Sequence, residues 1–261
     1  PSQPDYWFGL QGSLSGQTLT VSRYTGSASA LEIPAEVEGI PVVAIGLGAF
    51  QDCAGLQTVV LPQSVTSIGA SAFQGCTGLT SVIVPEGVTQ IEAYTFAGCV
   101  VLASVALPDG ITDVYYNAFE GCPEGLKVYC KLSGTTAGAL GEQGYEFRDP
   151  DHPGYVFKGD PSEQGAVELV AYEGEGGDIA IPTGVARIGD SAFSGCSGLT
   201  SITLPESLTS IGSSAFDGCS GLTCIDLPEG ITSIEVLTFY GCSALTSLTL
   251  PESLTSIGSG A

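Results

Sequence analysis

Residues 188–210 decide the fold because their pattern recurs along the chain: Ile188-Gly-Asp-Ser-Ala-Phe193-Ser-Gly-Cys196-Ser-Gly-Leu199-Thr-Ser-Ile202-Thr-Leu204-Pro205-Glu-Ser-Leu208-Thr-Ser. Phenylalanine returns every 23 residues, at Phe50, Phe73, Phe96 and Phe119 and again at Phe193, Phe216 and Phe239. A cysteine follows each of them by three residues, at Cys53, Cys76, Cys99, Cys122, Cys196, Cys219 and Cys242. A fixed period of this length indicates an architecture in which each unit stacks on the next.

Within one repeat, two short extended segments are separated by tight turns. Ile202 and Leu204 alternate with polar residues, which is the period of a strand with one buried face, and Pro205 ends that strand. Leu208 and Ile211 mark a second extended segment, and Ser-Ala-Phe-Xaa-Gly-Cys is too short for more than one helical turn. Stacked coils would pair their strands in parallel about 4.8 Å apart. We therefore predict a right-handed solenoid of short parallel strands and short helical turns.

The repeat is interrupted between residues 123 and 187, and the chain on either side is duplicated. Phe50 corresponds to Phe193 with an offset of 143 residues, and Phe96 to Phe239 with the same offset. Residues 6–8 and 155–157 look like strand caps that start the two arrays. We predict two capped arrays, 1–149 and 150–261, with the second truncated at its C-terminal end.

The interruption has its own local signals. Residues 134–143 predict one short helix, residues 144–147 an end cap of the first array, and residues 148–154 a linker by composition. At the other end, residues 257–261 match residues 114–118, so we expect the parent protein to continue with phenylalanine at position 262 and a cysteine three residues later.

The string Leu-Xaa-Xaa-Ile-Xaa-Leu-Pro-Xaa-Xaa-Leu-Xaa-Xaa-Ile-Gly-Xaa-Xaa-Ala-Phe-Xaa-Gly-Cys, seen from Leu199 to Cys219, resembles the BspA-like leucine-rich repeats of bacterial surface proteins. The resemblance implies a leucine-rich-repeat solenoid on a secreted or surface-anchored protein that adheres to host proteins, matrix proteins or other cells. The family's conserved positions are core positions, so the resemblance implies a scaffold and a class of role, with no catalytic or binding residue.

The charge of the chain narrows the choice of partner. The formal net charge is −22, with 28 acidic and six basic residues, so a nucleic acid or an anionic membrane surface is not the expected partner. No apolar run approaches the ~20 residues that span a bilayer. The chain lacks methionine, even at position 1, and we interpret it as part of a longer precursor, extracellular or on the cell surface, from which a signal peptide was removed.

The nine cysteines invite a metal or disulfide interpretation, but no Cys-Xaa-Xaa-Cys pair occurs and the 23-residue period predicts an internal ladder. We expect the seven ladder cysteines to be buried, reduced and free of metal. A Cys122–Cys130 disulfide stays open as an alternative. Cys224 replaces an outward serine and is expected to be the reactive cysteine.

Catalytic motifs are absent from the sequence. His152, the one histidine, lies in the predicted linker, where we expect a solvated side chain, and neither a nucleophile elbow nor a nucleotide-binding loop is present. Carboxylates that follow the repeat prolines predict one edge that is either solvated or calcium-binding, and we favour the solvated interpretation; they are Glu86, Asp109, Glu206, Glu229 and Glu252. We predict no enzyme activity and no cofactor.

Binding information in a solenoid must lie in outward positions that depart from the repeat. Between the two buried residues of each strand, the first array has Val60, Ile83 and Ala106, where the second has Thr203, Asp226 and Thr249. Tyrosines also replace the small turn residues of other repeats, at Tyr94, Tyr115 and Tyr116. The apolar stripe, these tyrosines and Asp226 are the candidate ligand contacts.

Three functions compete at this point. The first is a monomeric surface module that binds a protein or glycan on a host, a matrix or another cell. The second is a structural spacer or stalk of a larger surface protein, for which the strand face should be uniformly polar. The third is a hydrolase, against which the single linker histidine argues.

Overall fold

The computed structural model describes residues 6–11, 17–161 and 167–261, and the chain forms two compact units, Pro1–Gln143 and Gly144–Ala261. Both units are solenoids of short, mostly parallel strands with little helix, which confirms the predicted leucine-rich-repeat fold. The domain boundaries inferred from the duplication, 1–149 and 150–261, stay a prediction.

The described part of the first unit contains twelve strands and one helix. They are β1 (Tyr6–Gln11), β2 (Thr18–Tyr24), β3 (Ala30–Glu32), β4 (Glu36–Val37), β5 (Ile40–Ile45), β6 (Thr58–Val60), β7 (Ser67–Ile68), β8 (Ser81–Ile83), β9 (Gln90–Ile91), β10 (Ser104–Ala106), β11 (Asp113–Val114), β12 (Lys127–Tyr129) and α1 (Thr135–Glu142).

The described part of the second unit contains ten strands. They are β13 (Tyr155–Lys158), β14 (Glu168–Tyr172), β15 (Gly177–Ala180), β16 (Arg187–Ile188), β17 (Leu199–Thr203), β18 (Ser210–Ile211), β19 (Cys224–Asp226), β20 (Ser233–Ile234), β21 (Ser247–Thr249) and β22 (Ser256–Ile257).

In each unit the two extended segments of the repeat build separate parallel sheets. One sheet of the first unit has the order β12-β10-β8-β6-β3, and its counterpart in the second unit has the order β15-β17-β19-β21. Equivalent residues of successive repeats lie opposite each other in the sheet, as Val105 does opposite both Val82 and Val128. A slip of one residue would turn the buried face outward, so this register fixes which side chains meet solvent.

A ladder of stacked phenylalanine rings fills the core. In the first unit the ring centroids of Phe50 and Phe73 are 5.1 Å apart, and those of Phe73 and Phe96 are 5.7 Å apart, with interplanar angles of 4° and 6°. In the second unit Phe193 and Phe216 stack at 5.2 Å. Such offset stacks are favourable beyond the apolar area they bury, so the ladder ties neighbouring coils together.

Backbone hydrogen bonds also join the turns of neighbouring coils. The amide of Phe73 donates to the carbonyl of Thr95 at 2.9 Å, and the amide of Phe96 donates to the carbonyl of Ala118 at the same distance. The second unit repeats this bond between Phe216 and Thr238. Because these buried turns cannot satisfy their amides alone, each coil depends on the next.

Near its start each unit has an antiparallel hairpin, whose first strand contains the residues predicted as a strand cap, 6–8 and 155–157. β1 pairs with β2, and β13 pairs with β14, before each second strand joins the parallel stack. Tyr24 and Tyr172 then extend the phenylalanine ladders, with ring centroids 5.5 Å from Phe50 and 5.2 Å from Phe193. The hairpin therefore gives the first coil a neighbour.

Helix α1, the helix predicted for residues 134–143, packs against the last coil of the first unit. The hydroxyl of Thr136 accepts a hydrogen bond from the amide of Ile111 at 3.0 Å and donates one to the carbonyl of Pro108. Thr135 donates to the carbonyl of Asp109 at 3.0 Å. In other coils the equivalent amide donates within its own turn, as Val88 does to the carbonyl of Pro85, so these bonds attach α1 to the turn of residues 108–111. Among the described helices none is long and apolar enough to cross a membrane.

The segment after α1 differs from the sequence prediction. Residues 144–147 were expected to cap the first array, but Phe147 lies in the second unit, where it exchanges backbone hydrogen bonds of 2.9 and 2.8 Å with Phe157. Residues 148–154 are also more than a solvated linker, since Arg148 forms an ion pair with Glu173 at 2.5 Å. The 23-residue repeat is interrupted in this segment, so the sequence did not indicate which residues Phe147 and Arg148 pair with.

Replacing Phe73 with alanine should lower the free energy of unfolding by about 3–5 kcal/mol, because the ring is fully buried between two others. Phe239, whose ring stacks on that of Phe216 and is 9% exposed, is the comparison site in the second unit, and its alanine variant should lose less. Urea denaturation followed by circular dichroism measures both. Equal losses of unfolding free energy in the two variants would contradict a stabilising role for the ring contacts on both sides of Phe73.

Candidate binding surfaces

The apolar stripe of Val60, Ile83 and Ala106 lies on the outward face of the β6-β8-β10 sheet. Side chains of Val60 and Ile83 are 57% and 71% exposed, and Ala106 is half-buried. The register places Glu32 beside Val60 at one end of the row and Tyr129 beside Ala106 at the other. The sequence thus identified the outward positions correctly, while their role as ligand contacts stays a prediction.

The same face of the second unit is polar and internally hydrogen-bonded. Asp226 is exposed, and its Oδ1 accepts a hydrogen bond from the Thr249 hydroxyl at 2.5 Å. Asp178 accepts hydrogen bonds from the hydroxyls of Thr200 at 2.6 Å and Ser201 at 2.9 Å, and these bonds lower the pKa of its carboxyl. The carboxylates of this face already have partners in neighbouring coils, which makes them less available to a ligand.

Tyr94, Tyr115 and Tyr116 lie on the turn that precedes the ladder phenylalanine, in two adjacent coils. The two turns run side by side, since the amide of Tyr115 donates to the carbonyl of Ile91 at 3.0 Å and that of Phe96 to the carbonyl of Ala118. Exposure is 39% for Tyr94, 45% for Tyr115 and 75% for Tyr116. We call these three residues the tyrosine patch.

The backbone at Tyr94 is strained. Its φ is 58°, in the left-handed region, where the equivalent residues of the preceding coils are Gly48 and Ser71. Bulky side chains rarely adopt this conformation, at a cost of roughly 1–2 kcal/mol. The equivalent turn of the second unit has Leu237 at the same position with φ of 59°. The sequence showed the substitution but could not show the strain, because φ is a property of the turn.

Replacing Tyr94 with glycine should raise the free energy of unfolding by about 0.5–1 kcal/mol, because the relief of strain exceeds the added entropy of the unfolded chain. The matched control is Tyr115→Gly, at a position outside the left-handed region, which should lower it by about 0.5–1 kcal/mol. Thermal and urea denaturation measure both variants. Destabilisation of both to the same extent would contradict the assigned strain.

The burial of the ladder cysteines is only partly as predicted. Cys76, Cys99 and Cys219 are buried, but Cys53, Cys122, Cys196 and Cys242 are half-buried, because they belong to the first or last cysteine-bearing coil of their unit. All nine cysteines lie in the described ranges, and none of them forms a disulfide, so Cys122 and Cys130 are not bridged. Cys224 is exposed on the strand face, as expected.

The thiols are also hydrogen-bond donors, which the sequence analysis missed. Five of the seven ladder thiols donate to the carbonyl of the ladder phenylalanine one coil earlier, as Cys99 does to Phe73 at 3.2 Å and Cys219 to Phe193 at 3.1 Å. The constant separation of 26 residues between these partners is the signal that could have predicted it. Burial raises the pKa of both cysteines to about 12, so these thiols stay protonated and act as structural groups.

His152 and Asp149 form a second feature that the sequence did not indicate. The Nδ1 atom of His152 lies 2.9 Å from Oδ2 of Asp149, and the Asp149 side chain is almost completely buried. Oδ1 of Asp149 accepts a hydrogen bond from the amide of Asp151 at 2.8 Å. The pair therefore orders the turn at residues 149–152, a role that differs from the solvated histidine we expected.

Within the described ranges, no three histidine, cysteine, aspartate or glutamate side chains converge as a metal site would require. Among the carboxylates that follow the repeat prolines, that of Glu229 accepts a 3.4 Å hydrogen bond from the amide of Glu252 one coil later. This contact is typical of a solvated turn.

Alkylation with iodoacetamide at pH 8 should modify Cys224 first and Cys76, Cys99 and Cys219 last, because the thiolate reacts and burial opposes its formation. Mass spectrometry of peptides from native protein follows the order, with urea-denatured protein as the reference in which all nine react. The fast phase should disappear in Cys224→Ser. Rapid alkylation of Cys99 in folded protein would contradict the assignment.

Known proteins share the repeat of this chain. A family model described as BspA type leucine rich repeat region (6 copies) matches residues 27–138 and 172–261. None of the curated proteins matches the chain.

Three solved structures illustrate the similarity. A leucine-rich repeat protein from T. pallidum (TpLRR) is 27% identical over 97% of this chain and 83% of its own, with a TM-score of 0.38. A leucine-rich repeat protein from Bacteroides ovatus is 21% identical over 98% and 90%, with a TM-score of 0.43. The pneumococcal vaccine antigen PcpA is 18% identical over 99% and 77%, with a TM-score of 0.39. The family model covers most of the sequence, and the chain therefore belongs to the BspA-type leucine-rich repeat family.

Proposed function

We propose that this chain is a non-enzymatic binding module of the bacterial cell surface or the extracellular space, and that the first unit presents its apolar stripe to a protein ligand. The observation that carries the proposal is the exposure of Val60 and Ile83 on neighbouring strands. Exposed apolar side chains in contiguous rows mark contact surfaces more often than isolated ones do.

The contrast between the units supports the location. Equivalent positions hold Thr203, Asp226 and Thr249 in the second unit, so the solenoid does not require apolar residues there. Because the fold accepts threonine or aspartate at this position, the fold alone does not explain why valine and isoleucine occur there. Family membership supports the class of role, a surface that binds proteins.

A spacer role is the second candidate, and the second unit favours it. Its strand face is polar, and the carboxylates of Asp178 and Asp226 are satisfied by hydroxyls of neighbouring coils. A stalk needs such a surface, since nothing has to bind there. The two roles are compatible if the first unit binds and the second holds it away from the cell.

The triple variant Val60→Thr, Ile83→Thr and Ala106→Thr tests the proposal, because threonine occupies two of the equivalent positions and should preserve the fold. The full chain is passed over a panel of purified matrix proteins and mammalian surface ectodomains by surface plasmon resonance. We expect at least one ligand whose affinity falls about tenfold or more in the variant.

The matched control is Thr203→Ala with Thr249→Ala on the second unit, which should leave that affinity unchanged. Unchanged circular dichroism and urea midpoints establish that both variants are folded. If wild-type protein binds nothing in the panel, or if the stripe variant binds as well as wild type, the stripe is not the binding surface and the spacer role is preferred.

A further inference from the structure

One turn in each unit departs from the repeat in the same way. Residues 91–96 and 234–239 each replace the usual glycine with glutamate, place a bulky residue in the left-handed conformation and end in a buried threonine before the phenylalanine. The threonines make equivalent hydrogen bonds: the hydroxyl of Thr95 donates to the carbonyl of Glu92 at 2.7 Å, and that of Thr238 donates to the carbonyl of Glu235 at 2.8 Å. The two turns therefore share one structure that differs from the turn of the other coils.

In both units exposed aromatic or aliphatic side chains lie on this turn or beside it. The first unit has the tyrosine patch, and the second has Val236 and Tyr240, both among its exposed large hydrophobic residues. Other coils need only small side chains here, as Gly48, Ser71, Ser191 and Ser214 demonstrate in the same left-handed conformation. A strained residue that faces solvent contributes nothing to the core, so its surface is the feature that remains to be explained.

Acidic residues surround the tyrosine patch in the sequence of its two coils. The carboxylates of Glu92 and Glu120 flank the tyrosines on the same turns, and exposed Asp113 lies just before Tyr115. Between Arg23 and Lys127 the sequence has ten acidic residues and no lysine, arginine or histidine. The coils that carry Tyr94, Tyr115 and Tyr116 therefore contain several carboxylates and no basic residue before Lys127.

We propose that the tyrosine patch binds an arginine- or lysine-bearing segment of a partner protein. Tyrosine rings attract cations over their faces, and flanking carboxylates accept hydrogen bonds from the same groups. Arginine matches both requirements, because its planar guanidinium stacks on rings and pairs with carboxylates. The inference shares with the proposed function the need for a protein ligand, but it places the contact on another surface of the coil.

The partner is a segment and not a small cation because the patch is open and extends across two coils. Tyr94 belongs to one coil, and Tyr115 and Tyr116 belong to the next, which pairs with it through the backbone. An extended chain with cations at successive positions reaches both coils at once. A neutral sugar, which also stacks on tyrosine, would not use Glu92 and Glu120 as charges.

The test uses the full chain and a fluorescein-labelled peptide of twelve residues in which arginine and glycine alternate. Fluorescence anisotropy measures its affinity, and a second peptide with citrulline in place of arginine keeps the shape without the charge. We expect binding of the arginine peptide that weakens with added salt, and at least about tenfold weaker binding of the citrulline peptide.

The decisive variant is Tyr94→Ser with Tyr115→Gly and Tyr116→Ala, because it restores the residues of the preceding coil, Ser71, Gly69 and Ala70. It should stay folded and bind the arginine peptide at least about tenfold more weakly. Glu92→Gln with Glu120→Gln should also weaken binding and reduce its dependence on salt. Val60→Thr with Ile83→Thr is the control on the strand face and should leave peptide affinity unchanged.

Several results would overturn the inference. These are the absence of wild-type binding, equal affinity for the citrulline peptide, or full affinity in the folded tyrosine variant. Binding of maltohexaose that disappears in the tyrosine variant would assign the patch to a glycan instead. Loss of peptide binding only in the strand-face variant would refute this inference while it supports the proposed function.

Discussion

The pairing of each coil with the next, at a register of 23 residues, is the constraint on which the structure depends. A single coil has two very short strands and a turn in which several amides, such as those of Ser71, Phe73 and Gly75, find their acceptors only in the next coil. The bond from Phe73 to Thr95, the stacked rings and the thiol of Cys99 on the Phe73 carbonyl all join one coil to its neighbour. Stability therefore belongs to the stack, and the ends need the hairpins and helix α1.

Periodic features could be predicted from the sequence, because one repeat constrains all the others. The alternation around Ile202 indicated the buried face, and the same register correctly predicted that Val60 and Ile83 point outward. Segments without a period were less predictable. Phe147 pairs with Phe157 and Asp149 is buried beside His152, and neither contact follows from local pattern, since both depend on how the chain folds back.

The candidate surfaces show the same division. That tyrosines replace small residues was visible in the sequence, whereas the left-handed backbone at Tyr94 and its counterpart at Leu237 required the turn geometry. A core that accepts only a narrow set of residues leaves the outward positions free to vary. Departures that cost stability, such as the one at Tyr94, are therefore more informative about function than departures that cost nothing.

The claim that inter-coil bonds hold the fold, and so leave the surface free for binding, is tested most directly by hydrogen–deuterium exchange of the full chain. Amides that donate to a neighbouring coil, such as those of Phe73 and Phe96, should be protected as a group and lose protection together as urea is added. Exchange of these amides at the rate of the exposed turns, or one coil at a time without cooperativity, would contradict the account.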